Sequence, residues 1–258
     1  MSRASIKPSL EASLIALNAT LYAVFGYVTY LGLFTPVFGT VRFWPSVVIP
    51  AAFSILFSPK IGGLGAAIGI FISDMLIHGN PLLSISVGVP SNFIAFYLIG
   101  KLARRWVEMK TSTILLSILL QMIPVAGCFA IYSGRLLDEF TALIFLGVAV
   151  IAFIFTLLTS IVQRKYLNVV SASSIGLLTG SAIIGIGLWA YSQFFILPIG
   201  GIRNAPLVAA LVWFLWTYLT EIPFLHFILP PLLAALVKAM PSRFKTPVSY
   251  THLTLPTN

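Results

Sequence analysis

Residues 39–80 read GTVRFWPSVVIPAAFSILFSPKIGGLGAAIGIFISDMLIHGN, and they join two apolar segments through a short polar hinge. The first segment stops at Ser58-Pro59-Lys60, and the second begins in a glycine-rich stretch. In lipid, a face of small side chains lets a neighbouring helix approach closely, and such packing replaces the hydrophobic effect between helices. The glycine-rich stretch places four small residues on one helical face, at spacings of four, three and four: Gly62, Ala66, Gly69 and Ser73. This pattern predicts tightly packed membrane helices.

Candidate ligand groups lie at the ends of these two segments. Arg42 and Trp44 precede the first apolar segment, and Asp74, His78 and Asn80 close the second. Asp74 and His78 are one turn apart, which puts both on the same side of a helix. Trp44 has two interpretations, because a lone Trp beside an apolar segment is also a common membrane-interface anchor.

The composition predicts an integral membrane protein. Of the 258 residues, 59% are hydrophobic and only 8% are charged, which exceeds what a water-soluble core uses. We expect an all-α fold, a polytopic transmembrane helical bundle of about six to eight spans, in one membrane domain covering residues 1–246. The second segment is short and is expected to be tilted or partly re-entrant. The eight candidate spans are residues 10–34, 45–58, 61–79, 82–102, 112–133, 141–163, 174–199 and 205–222.

The distribution of positive charge predicts the orientation of the bundle. Eight spans place twelve of the fifteen Lys and Arg residues on the side of the N-terminus, leaving only Arg42, Arg135 and Arg203 on the other side. The positive-inside rule then predicts a cytoplasmic N-terminus in a multi-pass protein of the cell (plasma) membrane. Basic loops facing anionic lipid account for the formal charge of +9, so no nucleic-acid partner is expected.

The sequence also argues against catalysis. It contains no DDxxD-type acidic pair, no HExxH, no GxSxG and no Walker sequence. The single cysteine, Cys128, excludes a disulfide framework and a multi-cysteine metal site. We therefore expect no enzyme activity, no cofactor, no bound metal, and no ATP hydrolysis by this chain alone.

Four further residues are candidates for a ligand site. Asn92 lies near the centre of an apolar segment, where its amide must bond either a ligand or a neighbouring helix. Arg203 and Asn204 lie beside two glycines in a turn that would let the backbone approach a solute. Glu221 is the acid that lies unambiguously in apolar sequence, so it either faces a cavity or makes a structural hydrogen bond. Pro223, together with Pro230-Pro231, is expected to break the helix of that last span.

These groups leave the charge of a ligand open. Most of them fall at the predicted external ends of their segments, and convergent polar groups over an apolar cleft are typical of a small-molecule site. The arginines Arg42 and Arg203 would suit a carboxylate or phosphate. The acids Asp74 and Glu221 would suit a cationic or amide-bearing group.

The first span carries a seam of small residues at helical spacing: Ala12, Ala16, Ala19 and Ala23. Such a face serves either packing within the chain or docking of a partner subunit, since both exploit close backbone approach. The sequence does not distinguish the two.

The C-terminal residues 247–258 are set apart from the fold. The peptide VSYTHLTLPT within them is what a transposase mosaic-end sequencing adapter would encode, so we expect adapter read-through rather than native sequence. His252 is given no functional weight, and the natural C-terminus is expected to be missing.

Two stretches resemble a known family. Residues 41–80, followed by SVGVPSNFIAFYLIGKLARR at residues 86–105, are similar to the N-terminal half of substrate-binding S components of energy-coupling factor (ECF) transporters. In those subunits a loop with Arg and Pro precedes an apolar helix, a hinge and a glycine-rich helix that ends in Asp. LPPLLAALVK at residues 229–238 is similar to their last helix. The chain departs from the pattern at Ser58-Pro59, where the family has Gly-Pro, and in having about eight spans instead of six.

The resemblance implies a function. The chain would capture a vitamin, a cofactor precursor or another micronutrient in a cavity near the outer leaflet. A separate transmembrane coupling subunit with two ATPase subunits would drive transport, and the alanine seam is similar to the face that such subunits use for docking.

Two other functions remain as alternatives. A structural membrane scaffold similar to the cell-shape protein MreD would need the small-residue seams but no ligand pocket. A stand-alone secondary transporter would use Glu221 as a proton-coupling acid, and inverted halves would then be expected in the sequence. We find no convincing repeat between the first and the last four spans.

Overall fold

A computed structural model describes residues 7–33, 37–38, 41–42, 44–105, 111–161 and 164–240. These residues form a bundle of α-helices, which confirms the predicted fold class. A π-helical turn, Thr29–Leu33, extends α1, and another, Ser84–Gly88, joins α4 to α5. Two-residue strands, β1 (Val37–Phe38) and β2 (Val41–Arg42), pair antiparallel before α2. The helices are α1 (Pro8–Val28), α2 (Val48–Leu56), α3 (Pro59–Ile77), α4 (Pro81–Leu83), α5 (Val89–Arg105), α6 (Thr111–Ser133), α7 (Glu139–Ile161), α8 (Arg164–Phe194), α9 (Val208–Phe227) and α10 (Leu229–Ala239).

Seven helices in the described part of the chain are long and apolar enough to cross a membrane. The second predicted span is the exception, because its helical part, Pro45–Leu56, is shorter. The helix breaks just before Pro230-Pro231, where α9 ends at Phe227 and α10 begins at Leu229, whereas α9 continues through Pro223. Pro223 removes one backbone donor, but packed neighbours make such a loss tolerable in a membrane helix.

Helices α1 and α3 run in the same direction. Asn18, in the first half of α1, donates from Nδ2 to the carbonyl oxygen of Ile61 at 3.1 Å, near the start of α3. Ser73, near the end of α3, donates to the carbonyl oxygen of Ala23 at 3.4 Å, further along α1. Because α2 connects these two parallel helices, it runs in the opposite direction. The chain therefore makes a return pass through a helix too short to span a bilayer.

We call the end of the bundle where α1 and α3 begin the basic end, and the opposite end the far end. At the basic end, Lys60 Nζ lies 3.1 Å from Glu11 Oε1, so the two helix starts are side by side. Arg104, in the last turn of α5, reaches the end of α2 at the same level. Its guanidinium donates to the carbonyl oxygens of Ile55, Leu56 and Phe57 at 2.9, 3.0 and 2.6 Å. These bonds satisfy carbonyls that the end of a helix leaves without partners.

Helix α2 packs against α3 where glycine removes the side chain. A Cβ added to Gly62 would overlap the Cβ of Ser54 in α2, so no larger residue fits without a shift. Ser54 in turn donates its hydroxyl to the carbonyl oxygen of Phe96 in α5 at 2.5 Å. All four members of the predicted small-residue face of α3 are buried.

Helix α8 is antiparallel to the α4–α5 segment. Asn168, near the start of α8, donates to the carbonyl oxygen of Ala103 at 3.3 Å, near the basic end. Tyr191, near the end of α8, accepts from Asn80 Nδ2 at 3.0 Å, at the far end. Of the seven helices long and apolar enough to span a membrane, α8 is the most buried, because 67% of its apolar 18-residue stretch lies inside the bundle. The corresponding share is 28% for both α6 and α7. Helix α8 is thus central, and α6 and α7 are peripheral.

Helix α9 returns along α8 from the far end to the basic end. Gly185 of α8 lies against the backbone of Ala210, near the start of α9. Ser174 of α8 and His226 of α9 share a hydrogen bond of 2.9 Å, nearer the basic end. Helix α9 also contacts α6, α7 and the start of α2, so it lies between α8 and the peripheral helices.

Candidate functional site

A cavity lies within the bundle, between α1, α3, the α4–α5 segment, α8 and α9, and extends from Asp74 near the far end to Glu221 nearer the basic end. Its volume, taken as the space open to the centre of a sphere the size of a water molecule, is about 90 Å³. The wall is mainly apolar, with side chains such as Ile70, Leu83, Val87, Leu177, Ile184 and Leu188. The polar side chains on the wall are Asp74, His78, Ser91, Asn92, Ser181, Thr217 and Glu221.

Asp74 is held in place by two neighbouring side chains. Its carboxylate is buried, at 4% exposure, in the penultimate turn of α3. Ser84, in the π-helical turn before α5, donates its hydroxyl to Oδ2 at 2.7 Å. His78 Nε2 lies 3.5 Å from Oδ1, as expected for residues one turn apart on a helix. The carboxylate therefore has a fixed orientation at the cavity wall.

The end of α3 orients the ring of His78. Gly79 has a φ of 63°, a left-handed conformation that favours glycine and ends the helix. The backbone N–H of Asn80 then donates to His78 Nδ1 at 3.1 Å. This bond turns the other ring nitrogen, Nε2, toward the carboxylate of Asp74.

Asn80 lies beside the cavity rather than on its wall. Its Oδ1 accepts the backbone N–H of Leu83 at 3.0 Å, which caps the start of α4. Its Nδ2 donates to the hydroxyl of Tyr191 at 3.0 Å. Asn80 therefore connects α3, α4 and α8 at the far end.

One wall of the cavity is aromatic. The ring of Tyr22 meets Trp44 edge to face, with centroids 6.1 Å apart, and meets Phe96 at 5.9 Å. The Tyr22 hydroxyl donates to Asn92 Oδ1 at 2.7 Å, and Asn92 Nδ2 donates to the carbonyl oxygen of Gly88 at 2.9 Å. Asn92 therefore joins two helices and also lines the cavity. Trp44 is only 3% exposed, which favours its place in the site over an interface anchor.

Glu221 is a polar residue of the wall that lacks a partner among the described residues. It is 8% exposed and lies on α9, six residues before the helix ends at Phe227. Among the residues that the structure describes, its carboxylate makes no hydrogen bond and no ion pair. The expected alternative, a structural bond to a tyrosine or to the backbone, is not found there. The carboxylate is instead turned to the cavity.

Ser181 of α8 contributes a second group without a partner. It is fully buried on the cavity wall, and its Oγ has no hydrogen bond to the described residues. A serine in a helix usually donates to the carbonyl four residues earlier, as Ser174 does here to Val170. The hydroxyl of Ser181 is thus available to a bound molecule.

Two residues predicted for the site lie elsewhere, and the side chain of a third lies outside the described residues. Arg203 and Asn204 are exposed in the loop between α8 and α9, and neither lines the cavity. Asn204 has a φ of 52°, and its backbone N–H donates to the carbonyl oxygen of Ser192 at 2.8 Å, so its role there is in the turn. The backbone of Arg42 belongs to β2, paired with Val37, while its side chain lies outside the described part of the chain.

The alanine seam of α1 divides into two halves. Ala19 and Ala23 are 3% and 4% exposed, because α3 packs against them. Ala12 and Ala16, nearer the basic end, are exposed. Ala19 and Ala23 therefore serve packing within the chain. Only Ala12 and Ala16 present a small-residue surface to a neighbour.

The sequence did not single out several members of the site. Tyr22 is one of nine tyrosines, and Ser84, Ser181 and Thr217 are ordinary small polar residues in apolar segments. The one usable signal was the position of each hydroxyl along its span, because a hydroxyl near the centre of the membrane must find a partner. Which hydroxyls face one another depends on helix rotation, which the sequence pattern does not give.

The site has the chemistry of a binding pocket. Within the described ranges, no three side chains of His, Cys, Asp or Glu are grouped so as to hold a metal ion. Comparisons of the chain with protein-family models, with curated proteins and with solved structures gave no match.

Proposed function

We propose that this chain is the membrane-embedded substrate-binding subunit of an ECF-type importer, and that it captures a small molecule in the cavity between α1, α3, α5, α8 and α9. The observation that carries the proposal is the Glu221 carboxylate, nine-tenths buried on the cavity wall and without a partner among the described residues. A carboxylate at such depth is costly, and retained polar groups of this kind mark substrate or ion sites in membrane proteins.

The walls of the cavity support the binding of a small solute. Apolar and aromatic side chains supply most of the surface, and a few polar groups converge on it. This combination is typical of small-molecule sites, where apolar contact gives affinity and polar groups give orientation. The oriented Asp74 and the unpartnered Ser181 are the groups best suited to select a ligand.

The proposal includes an orientation in the plasma membrane. The basic end carries Lys60 and Arg104, whereas Arg203 lies in a loop at the opposite end. By the positive-inside rule the basic end faces the cytoplasm, and the end of the cavity that carries Asp74 and His78 then lies on the outer side of the bilayer. A micronutrient such as a vitamin or cofactor precursor would enter from outside.

A partner is needed to complete transport. This chain would supply capture, while a transmembrane coupling subunit and two ATPase subunits would supply energy. The exposed pair Ala12 and Ala16 offers a surface where a partner helix can approach closely. The surface lies at the basic end, on the side from which cytoplasmic ATPases would act.

The first experiment identifies small molecules that accompany the protein. The full chain is purified in detergent, and released metabolites are analysed by mass spectrometry. A cavity-filling variant, Ser181→Leu, should lose the bound metabolite, since the larger side chain occupies the cavity. Ser86→Leu is the matched control, because Ser86 is exposed and does not line the cavity.

The same preparations are then tested by thermal denaturation with the metabolite added back. We expect stabilisation of the wild type and of Ser86→Leu, and none of Ser181→Leu. If no metabolite is enriched over a detergent blank, and none of a panel of vitamins shifts the melting temperature, the proposal fails.

The unpartnered acid also supports a second candidate, a stand-alone proton-coupled transporter. Glu221 would then exchange a proton as the substrate enters and leaves. Proteoliposomes that contain only this chain separate the two functions. Uptake of the co-purified metabolite driven by a pH gradient alone would support the second candidate, whereas binding without uptake supports the subunit of a larger importer.

A further inference from the structure

We propose that the ligand of the cavity carries a primary carboxamide, and that Ser181, Thr217 and Glu221, on the wall formed by α8 and α9, bind this group. The proposal rests on the proposed function, because it names the chemical class of the solute in the same cavity. It also gives Ser181 and Thr217, which the sequence does not single out, the role of selecting the solute.

Two contacts fix the level of Ser181 against α9. Gly185 of α8 lies against the backbone nitrogen and the Cβ of Phe214, and Ser174 of α8 shares a hydrogen bond of 2.9 Å with His226. Ser181 lies between these contacts, four residues from Gly185 and seven from Ser174, so all three share one face of α8. At the usual rise per residue, Ser181 is about 6 Å from the first contact and about 10.5 Å from the second. It therefore faces α9.

Thr217 and Glu221 lie at nearly the same level on α9. They follow Phe214 by three and seven residues, which puts them on one helical face, and Glu221 precedes His226 by five residues. Counted from either contact, Thr217 is about 2–3 Å and Glu221 about 3–5 Å from Ser181 along the helix axis. All three side chains line the same cavity. A single functional group in the cavity can therefore contact all of them.

The three side chains differ in the hydrogen bonds that they offer. Ser181 is fully buried and its Oγ has no partner among the described residues, so its hydroxyl is available to donate. Thr217 already donates to the carbonyl oxygen of Trp213 at 2.9 Å, which leaves its oxygen as an acceptor. The Glu221 carboxylate, 8% exposed and without a partner in the described part of the chain, accepts when ionised. This part of the wall offers one donor and two acceptors.

A primary carboxamide is complementary to this set. Its carbonyl oxygen accepts from Ser181, and its NH₂ group donates twice, to Thr217 and to Glu221. An ammonium or guanidinium group has no acceptor for the serine hydroxyl, and an ionised carboxylate has no donor for the two acceptors. An alcohol has a single donor. Each of these groups would leave a buried side chain without a partner, which lowers affinity.

The volume of the cavity limits the solute to about one ring. The 90 Å³ of the cavity hold about six to nine water-sized groups, at roughly 10–15 Å³ for each. The side chains of Phe96, Leu177 and Ile184 supply apolar surface on the same wall. Apolar contact around a few polar groups is typical of small-molecule sites. We therefore expect an amide attached to a single ring or to a short carbon chain.

Four benzene derivatives of nearly the same shape test the inference directly. Benzamide carries the amide, acetophenone keeps only the carbonyl acceptor, benzoate is an anion, and benzamidinium is a cation without an acceptor. Each is titrated against the full chain in detergent, with melting temperature as the readout and sodium chloride as the ionic-strength control. We expect benzamide to reach half-maximal stabilisation at a concentration about tenfold lower than the other three. The cavity-filling variant Ser181→Leu reports any effect of the probes through the detergent.

Three variants locate the amide. Thr217→Val and Glu221→Met each remove an acceptor for the NH₂ group, so each should weaken benzamide about three- to tenfold and leave acetophenone unchanged. Ser181→Ala removes the donor to the carbonyl, so it should weaken benzamide and acetophenone alike. Thr179→Val is the matched control, because Thr179 also donates to a carbonyl oxygen of its own helix but does not line the cavity. The control should respond to the probes as the wild type does.

Arg42→Gln tests a residue whose side chain lies outside the described residues. The preference for benzamide should remain in this variant. If the preference is lost in Arg42→Gln but kept in both Thr217→Val and Glu221→Met, the amide is bound elsewhere and the inference is wrong.

The outcomes separate this inference from the proposed function. Tighter binding of benzoate or benzamidinium than of benzamide, equal effects of all four probes, or the same effects on Ser181→Leu would overturn the inference. If the metabolite lost from Ser181→Leu has no primary amide, the solute-binding function stands and the amide inference is wrong. If neither a metabolite nor a probe binds, both are wrong.

Discussion

The hydroxyl of Tyr22 donates a hydrogen bond of 2.7 Å to Oδ1 of Asn92, and this bond joins α1 to α5 along the wall of the cavity. Tyr22→Phe removes the donor and leaves the ring in place. We expect a loss of about 1 kcal/mol of stability, typical of a side-chain hydrogen bond inside a membrane protein. Tyr27→Phe is the control, because among the described contacts Tyr27 only stacks on Tyr30. Thermal denaturation in detergent measures both, and equal losses would contradict the structural role of the bond.

The contact of Gly62 with Ser54 predicts a large difference between two glycine substitutions. A Cβ at Gly62 would overlap Ser54, so Gly62→Ala should separate α2 from α3 and cost about 1–3 kcal/mol, as overpacking does. Gly147 of α7 has open space around the same position. Gly147→Ala should therefore be neutral or slightly stabilising. Melting temperatures of the two variants, compared with the wild type, test the packing, and a tolerated Gly62→Ala would show that the helices can move apart freely.

The three bonds from Arg104 predict that lysine cannot replace arginine at this position. The planar guanidinium reaches the carbonyl oxygens of Ile55, Leu56 and Phe57, whereas an ammonium group is a compact point charge. Arg104→Lys should destabilise the protein by about 2 kcal/mol, in the range of hydrogen bonds to charged groups. The control, Lys101→Gln, alters an exposed base on the same helix and should change little. Unfolding in a graded series of SDS concentrations provides the measurement.

Labelling from outside the cell tests the orientation. Cys128, the single cysteine of the chain, is buried. Cys128→Ala gives a protein without cysteine, into which single cysteines can be introduced for labelling. In that background Arg203→Cys should react with a membrane-impermeant maleimide on intact cells. Lys60→Cys should react only after the cells are made permeable. The reverse pattern would place the basic end outside, against the positive-inside rule.

The loop before α7 predicts a pH dependence. The backbone N–H of Thr141 donates to Asp138 Oδ1 at 2.9 Å, and bonds from the side chain and the backbone of Thr141 lower the pKa of Asp138 below its ordinary value of 3.8. A lowered pKa means that the stabilisation is present above pH 3.8 and is lost as the pH falls through the lower value in the folded protein. Asp138→Ala should therefore be less stable than wild type at neutral pH, and the difference should shrink in acid. A constant difference in melting temperature across this range would contradict the capping role.

Much of the fold follows from the sequence because hydrophobicity and length are local properties. The apolar runs identify the spanning helices, and the small face of α3 is buried as its spacing predicts. The path of α2 was the hardest part to predict, because its return pass depends on partners far along the chain. Arg104, for example, donates to carbonyl oxygens at the end of α2 that lie 47 to 49 positions earlier in the sequence.

The candidate site was predicted only in part. Asp74, His78, Asn92 and Glu221 all line the cavity, since polar residues in apolar helices have few other places to go. Arg203 was predicted from its neighbouring glycines and lies apart, because those glycines shape a turn of the loop. Spacing along one helix sets which residues share a face, but the rotation of each helix against its neighbours depends on side chains from the whole bundle.

The length of α8 has a consequence for the cavity that it lines. Its 31 residues extend about 46 Å at the usual rise per residue, well beyond a hydrocarbon layer of roughly 30 Å. A helix longer than the bilayer core tilts, or carries its ends into the headgroup layer. Because α8 supplies one side of the cavity from Leu177 to Leu188, its tilt sets the width of the site. Hydrophobic mismatch would thereby tie the width of the cavity to the acyl-chain length of the surrounding lipid.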